Sequence, residues 1–289
     1  MKVLITGAAG QLGRSLLKTA RSGHRLRALT RTELNITDKQ AVMATVQEFA
    51  PQVIINAAAY TAVDKAETEH AMAFAVNAEG AETLAEAARN CGARLIHVST
   101  DFVFDGLKSR PYLPSDAKHP VGIYAASKAG GEERVQRLLG DRAIIVRTGW
   151  IYAVEGHNFV KTILRLLREK DGFNVIADQV GTPTWAMSLA ELIWVMTGRP
   201  ELGGLFHWSD SGVASWYDFA VAVQEEAVAL GMLSKMIPIT PITTEEYPLP
   251  AKRPAYSVLE KRQTAAATGI VPTHWRANLR LMLRELHNA

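Results

Sequence analysis

Val3-Leu4-Ile5-Thr6-Gly7-Ala8-Ala9-Gly10-Gln11-Leu12-Gly13 decides the fold. A short apolar run leads straight into three glycines at Gly-x-x-Gly-x-x-Gly spacing, and an amphipathic stretch from Gln11 to about Ser22 follows. In a strand–turn–helix unit each glycine has its own task. Gly7 permits the tight turn, Gly10 lets the backbone approach a pyrophosphate, and Gly13 lets the helix pack on the strand. The first helical turn, with Gln11 and Leu12, then offers free N–H groups and a positive dipole end to phosphates. Taken alone, the glycines would also fit a packed turn with no ligand. Their place between the first strand and first helix, within ~30 residues of the next strand, favours a nucleotide.

Working outward, the alternation continues. Strands are expected at Leu26–Leu29, Val53–Asn56, Leu95–Val98 and Ala143–Arg147, with helices at Asp38–Phe49 and Thr68–Asn90 between them. Strand and helix in turn, with strands apolar throughout, imply an α/β fold: a doubly wound parallel sheet of Rossmann type, covered on both faces. After Thr148 the rhythm changes. Helices are expected near 158–170, 187–197 and 215–230 and from Trp275, with short strands at 173–176 and 237–239 and a proline-rich loop to Pro254. Residues 1–148 are therefore expected to form the nucleotide-binding domain. Residues 149–289 are expected to be mainly a smaller C-terminal substrate-binding domain, with segments near 172–198 and 235–243 returning to the first. Four of the 6 tryptophans (Trp150, Trp185, Trp208, Trp216) fall between 150 and 216, as in a lid closing a cleft.

Composition sets the outer limits. Of the 289 residues, 48% are hydrophobic and 21% charged, which suits a globular chain rather than a disordered one. The net charge of +3 is spread without long runs of one sign, which argues against a nucleic-acid partner. No apolar run reaches the ~20 residues of a membrane span. The single cysteine, Cys91, allows no internal disulfide and points to the cytoplasm; it reads as a small, buried or half-buried thiol. The 8 histidines lack zinc-site spacing, so no metal is expected, and His97 and His207 read as core or edge residues.

Tyr124-Ala125-Ala126-Ser127-Lys128 sets a phenol and an ammonium four residues apart, on one face of a helix. A free tyrosine titrates near 10, too high for efficient proton exchange at neutral pH, and a nearby cation lowers it. Such a pair is common by chance; its place between the fourth and fifth strands gives it weight. Thr100 closes the fourth strand, at the sheet edge where ligands of open α/β sheets bind. Its hydroxyl can polarise a carbonyl beside Tyr124 or bond its own loop. The second strand ends Leu29-Thr30-Arg31 without a carboxylate for a ribose 2′-hydroxyl. Arg31 can pair with a 2′-phosphate instead, so NADPH is expected and NADH stays possible; a solvated loop cation is the alternative.

The glycine spacing resembles the short-chain dehydrogenase/reductase superfamily. The stretches Asn56 to Glu67, Ser99 to Gly106, Tyr124 to Lys128, Arg147 to Tyr152, Asn158-Phe159, Asp178 to Thr184 and Lys252-Arg253-Pro254 resemble the dTDP-4-dehydrorhamnose reductase family over nearly the whole chain. That resemblance implies reduction by NADPH of the C4 ketone of a dTDP-linked 4-ketosugar, dTDP-4-dehydro-β-L-rhamnose, in the last step of dTDP-L-rhamnose biosynthesis. It implies Tyr124 as proton donor, Lys128 tuning it and holding the nicotinamide ribose, and Thr100 polarising the carbonyl. It also implies Asn35, Ile36, Ala57, Ala58 and Ala59 along the cofactor, and Thr61, Val63, Asp101, Phe102, Trp150, Asn158 and Arg253 around the substrate. For the last three a core aromatic, a helix cap and a surface cation are the plainer readings; Thr61 to Asp64 also reads as a helix cap. Phe102 departs from the family's usual tyrosine, and Ala125 from a frequent glycine.

Two rivals share the resemblance. A nucleotide-sugar 4,6-dehydratase would follow the threonine with an Asp-Glu pair, whereas Asp101 is followed here by Phe102. The NADP-binding regulatory subunit of some methionine adenosyltransferases keeps a similar site. Some family members form magnesium-bridged dimers through glutamates; Ser15 and Met187 stand at those positions here, so a monomer or a metal-independent homodimer is expected, with a site shifted to Glu191, one helical turn beyond Met187, as the alternative.

Overall fold

The computed structural model describes residues 1–20 and 22–288. The chain runs β1 (Lys2–Thr6), α1 (Gln11–Lys18), β2 (Arg25–Leu29), α2 (Lys39–Phe49) and β3 (Val53–Asn56). Then come α3 (Val63–Ala66), α4 (His70–Phe74), a π-helical turn (Ala75–Glu79), α5 (Gly80–Cys91), β4 (Arg94–Thr100), α6 (Ile123–Leu139) and β5 (Ala143–Thr148). The long alanine-rich helix expected over 68–90 is thus two helices joined by the π turn. Asp38 caps α2, its carboxylate accepting the Ala41 N–H.

The C-terminal half contributes β6 (Ile151–Tyr152), α7 (Phe159–Glu169), β7 (Phe173–Ile176), β8 (Val180–Gly181), β9 (Thr184–Trp185), α8 (Ala186–Thr197) and β10 (Gly204–His207). It ends with β11 (Ala214–Ser215), α9 (Trp216–Ala229), β12 (Ile239–Ile242), α10 (Arg262–Thr268) and α11 (Trp275–His287). The central sheet is parallel throughout, in the order β10-β5-β4-β3-β1-β2. Helices α2, α5 and α6 bury one face around Leu4, Ile54, Leu95 and Ile145. Helices α1 and α8 bury the other around Ile5, Ile55, Ile96 and Val146. The sheet is doubly wound.

The sixth strand and the outer helix α8 come from the C-terminal half, so that half does return to the sheet near 186–207. Of the two segments expected to return, 172–198 does so through α8 alone, while β7 and β12 pair with each other in a ribbon of their own. Val175 and Ile237 bury into a third core with α7, α9 and α11, which holds them off the sheet. Cys91 is exposed rather than buried, because the last residue of α5 faces outward. His97 and His207 are buried, as expected of core residues. Among the described residues no helix is long and apolar enough to cross a membrane.

Candidate active site

Where β1, β3, β4 and β5 end, a cleft of about 520 Å³ opens between the sheet and the C-terminal half. Gly7 makes its turn at φ +75°, so tightly that an added Cβ would lie 2.6 Å from the Ala58 nitrogen. At Gly13 a Cβ would lie 2.3 Å from the Gly7 oxygen, so only glycine lets α1 start there. The helix begins with no side chain capping it, leaving the amides of its first turn without helical partners. Gly10, Gln11 and Leu12 line the cleft, and so do Ala57, Ala58, Ala59, Thr61 and Val63 from the loop after β3. Asn77, in the π turn, steadies that loop. Its amide accepts from the Tyr60 N–H at 2.8 Å and donates to the Ser127 hydroxyl at 2.9 Å.

Thr100, Asp101 and Phe102 enter from the end of β4, and Tyr124 and Lys128 from α6. Gly7, Arg31, Asn35 and Ile36 do not line this cleft. Arg31 and Asn35 are exposed beyond β2, and Ile36 is buried where α5 starts, against Gly80. Thr61 caps nothing: α3 starts without a side-chain cap, and Asp64 instead accepts two hydrogen bonds from Arg253 at 3.1 and 2.8 Å.

Lysine was expected to lower the phenol of Tyr124. In the protein alone burial outweighs every charge and pushes the phenol up to about 12, with the Thr100 hydroxyl pulling it back and Asp101 adding to the rise. Lys128 is buried and its ammonium donates to the Val98 carbonyl at 2.6 Å. Burial lowers it to about 8, against the upward pull of Glu132. Asp101 is also pushed up by burial, to about 6, while hydrogen bonds from Ser257 and Thr100 hold it down. The cleft therefore offers a protonated phenol beside a lysine that is still mostly charged at neutral pH.

Helix α6 is fixed to the sheet one turn past Lys128. The Glu132 carboxylate accepts from Ser99 of β4 at 2.6 Å and from Arg147 of β5 at 2.9 and 2.8 Å. This buried pair sets the depth at which Tyr124 and Lys128 meet the end of β4.

Trp150, Asn158 and Arg253 reach the cleft from the C-terminal half. Asn158 caps α7 by accepting the Lys161 N–H, and its amide donates to Gln11 at 3.0 Å and to the Ala153 carbonyl at 2.7 Å. Its polar atoms are thus taken up in joining the two halves. Trp150 adopts a left-handed backbone, φ +51°, a conformation that costs a bulky residue about 1–3 kcal/mol. The sequence reading missed Thr148, Gly149, Val98, Ser99, Ile151, His157 and Trp216 among the lining residues. Thr148 ends β5 and Gly149 follows it at the ligand edge, a usable signal. Trp216 gave none beyond its place in the tryptophan cluster.

The profile of the RmlD substrate binding domain family matches residues 1–288. The chain belongs to that family. Within the RmlD substrate binding domain family it is similar to the dTDP-4-dehydrorhamnose reductase of Aggregatibacter actinomycetemcomitans, 44% identical with 96% of this chain and 97% of that one covered. It is also similar to the Escherichia coli (strain K12) protein of that name, at 38% identity with 99% and 98% covered. A crystal structure of dTDP-4-dehydrorhamnose reductase from Bacillus anthracis str. Ames, in complex with NADP, matches with TM-score 0.93 at 36% identity, covering 98% and 99% of the two chains.

Proposed function

We propose that the protein is an oxidoreductase that reduces the C4 ketone of dTDP-4-dehydro-β-L-rhamnose with NADPH in the cytoplasm, giving dTDP-L-rhamnose for polysaccharide biosynthesis. One observation carries the reading. A single cleft holds an uncapped helix start, the hydroxyls of Thr100 and Tyr124, and the buried ammonium of Lys128. The names of its relatives support the same substrate. The test is NADPH oxidation followed with a panel of nucleotide-linked ketosugars.

The residues fit the dinucleotide. An added Cβ on Gly10 would meet only the Gly7 oxygen, at 3.2 Å, so the backbone is open to a phosphate there. Among the described residues the Lys128 ammonium has one acceptor for its three protons, leaving donors for ribose hydroxyls. NADPH, when bound, supplies the hydride. Tyr124 gives its proton to the oxygen on C4, Thr100 polarises that oxygen, and the Lys128 charge stabilises the phenolate left behind. Thr61, Val63, Asp101, Phe102 and Trp150 face the sugar, Asn158 joins the walls, and Arg253 guards the diphosphate side. In this reading residues 1–148 carry the cofactor and 149–289 most of the substrate side.

Three outcomes follow from these assignments. Because Lys128 titrates near 8 and acts charged, kcat/KM falls as pH rises through about 8. A profile flat through that range counts against the role. Arg31 makes no hydrogen bond or ion pair with other described residues and is open to a 2′-phosphate. NADPH is therefore favoured over NADH by roughly ten- to hundred-fold. Equal efficiency with both, or no change in Arg31→Ala, removes the assignment.

The third concerns assembly, a monomer or metal-independent homodimer. Ser15 is buried with its hydroxyl donating to the Gln11 carbonyl, and Met187 is a soft, apolar side chain. EDTA is expected to leave both rate and sedimentation unchanged. Loss of both on chelation refutes it.

A further inference from the structure

Trp150 is held by neighbours that sequence reading did not connect to it. Trp216, the first residue of α9, stacks on its indole with ring centroids 3.4 Å apart and planes 2° from parallel. Aromatic pairs favour an offset or an edge-on contact, so a face-to-face stack without offset is one the surroundings impose. Gly181 lies against the same indole: a Cβ there would come 2.7 Å from Cε2 and 2.8 Å from Nε1. One ribbon brings both neighbours in: Gly181 of β8 pairs with Ala214 and Val180 with Ser215 of β11, and Trp216 follows directly on Ser215. Ser215 then starts α9 with a capping box to Asp218, which fixes the direction in which Trp216 leaves the ribbon. From the Trp150 backbone, the carbonyl accepts the Thr184 N–H at 3.1 Å. A left-handed backbone at a bulky residue persists only where its surroundings over-determine it, and here they do.

We propose that Gly181 and Trp216 are positioning residues for the sugar site, clamping Trp150 so that its indole stands as a fixed wall of the cleft before substrate arrives. The proposal rests on the reading of the cleft as a nucleotide-sugar reductase site. The chemistry suits such a ligand. A 6-deoxy-4-ketopyranose presents an apolar C–H face and a methyl group, which pack on an aromatic plane. A wall ordered in advance spares the binding step that ordering cost and holds C4 beside Tyr124 and Thr100. Trp216 also borders the cleft, behind the face of Trp150 that it covers.

Two variants attack the clamp from different sides: Gly181→Ala presses on the indole, and Trp216→Leu removes its stacking partner. In each, the KM for the ketosugar is expected to rise about ten-fold, while kcat and the NADPH Kd stay within about two- to three-fold of wild type. Trp216→Phe, which keeps an aromatic face, recovers most of the loss. A substrate-free measurement accompanies these: acrylamide quenching of tryptophan emission increases in Trp216→Leu, because the Trp150 indole is uncovered. A ketosugar KM unchanged in both variants overturns the proposal. So does a loss of NADPH affinity parallel to the rise in KM, which marks general structural damage. If wild-type protein reduces none of the ketosugars, the functional reading falls. The quenching result then decides the clamp by itself, and unchanged quenching overturns it.

Discussion

Tyr124→Phe lowers turnover by about 10²- to 10⁴-fold while NADPH binds nearly as in the wild type. The phenyl ring fills the same volume and keeps its edge-on contact with Phe102, at 6.0 Å between centroids. What is lost is the proton. A phenol pushed up to about 12 remains neutral and protonated across the working range, so it always holds the proton to be donated in the direction of reduction. The thermodynamic difficulty lies after the transfer, when a phenolate must be held in a buried site, and there the Lys128 cation acts. Single-turnover rates and NADPH titration separate the two effects. A variant retaining more than about half the wild-type rate sinks the assignment of Tyr124 as the acid.

The second large effect is on stability. Glu132→Ala is expected to cost about 3–5 kcal/mol, because it strands the Arg147 guanidinium in a site where both side chains are almost fully buried. Arg147 keeps its bonds to the Pro114 carbonyl and to His207 Nε2 and its place over the Phe104 ring, none of which neutralises it. Denaturant midpoints measure the loss. A double replacement, Glu132→Leu with Arg147→Met, should recover much of it, since it removes both buried charges together. A single-variant cost below about 1 kcal/mol would show that water reaches the pair.

Much of this is legible in the amino-acid sequence. The glycine turn, the first five strands and the Tyr124/Lys128 helix lie in continuous stretches whose period or spacing is itself the signal. The parts that were not readable share a physical cause. The ribbons β8–β11 and β6–β9 are two residues per strand, too short to show alternation. Strand β10 is four residues far from the strand it joins, with paired residues in β5 60 positions earlier, Gly204 against Ile144 and His207 against Arg147. The Asp64–Arg253 pair spans 189 positions. Its residues were each noticed for another task. The proton affinity of Tyr124 depended on how deeply the cleft buries it, a tertiary quantity that sequence spacing does not contain.

The place of β10 bears on how the chain must be made. With β10 absent, β5 is an outer strand whose six residues, Ala143–Thr148, are all buried in the finished protein. A ribosome that has released only the first half therefore exposes a flat apolar edge of the kind that recruits other chains. That edge is capped only after His207 has emerged, and α8, which covers the opposite face, emerges shortly before it. The nucleotide-binding half is thus not an autonomous product of early synthesis; its closure waits on residues encoded well past its own apparent boundary. For the same reason Thr148, natural as it looks for a cut between domains, is a poor place to divide this protein.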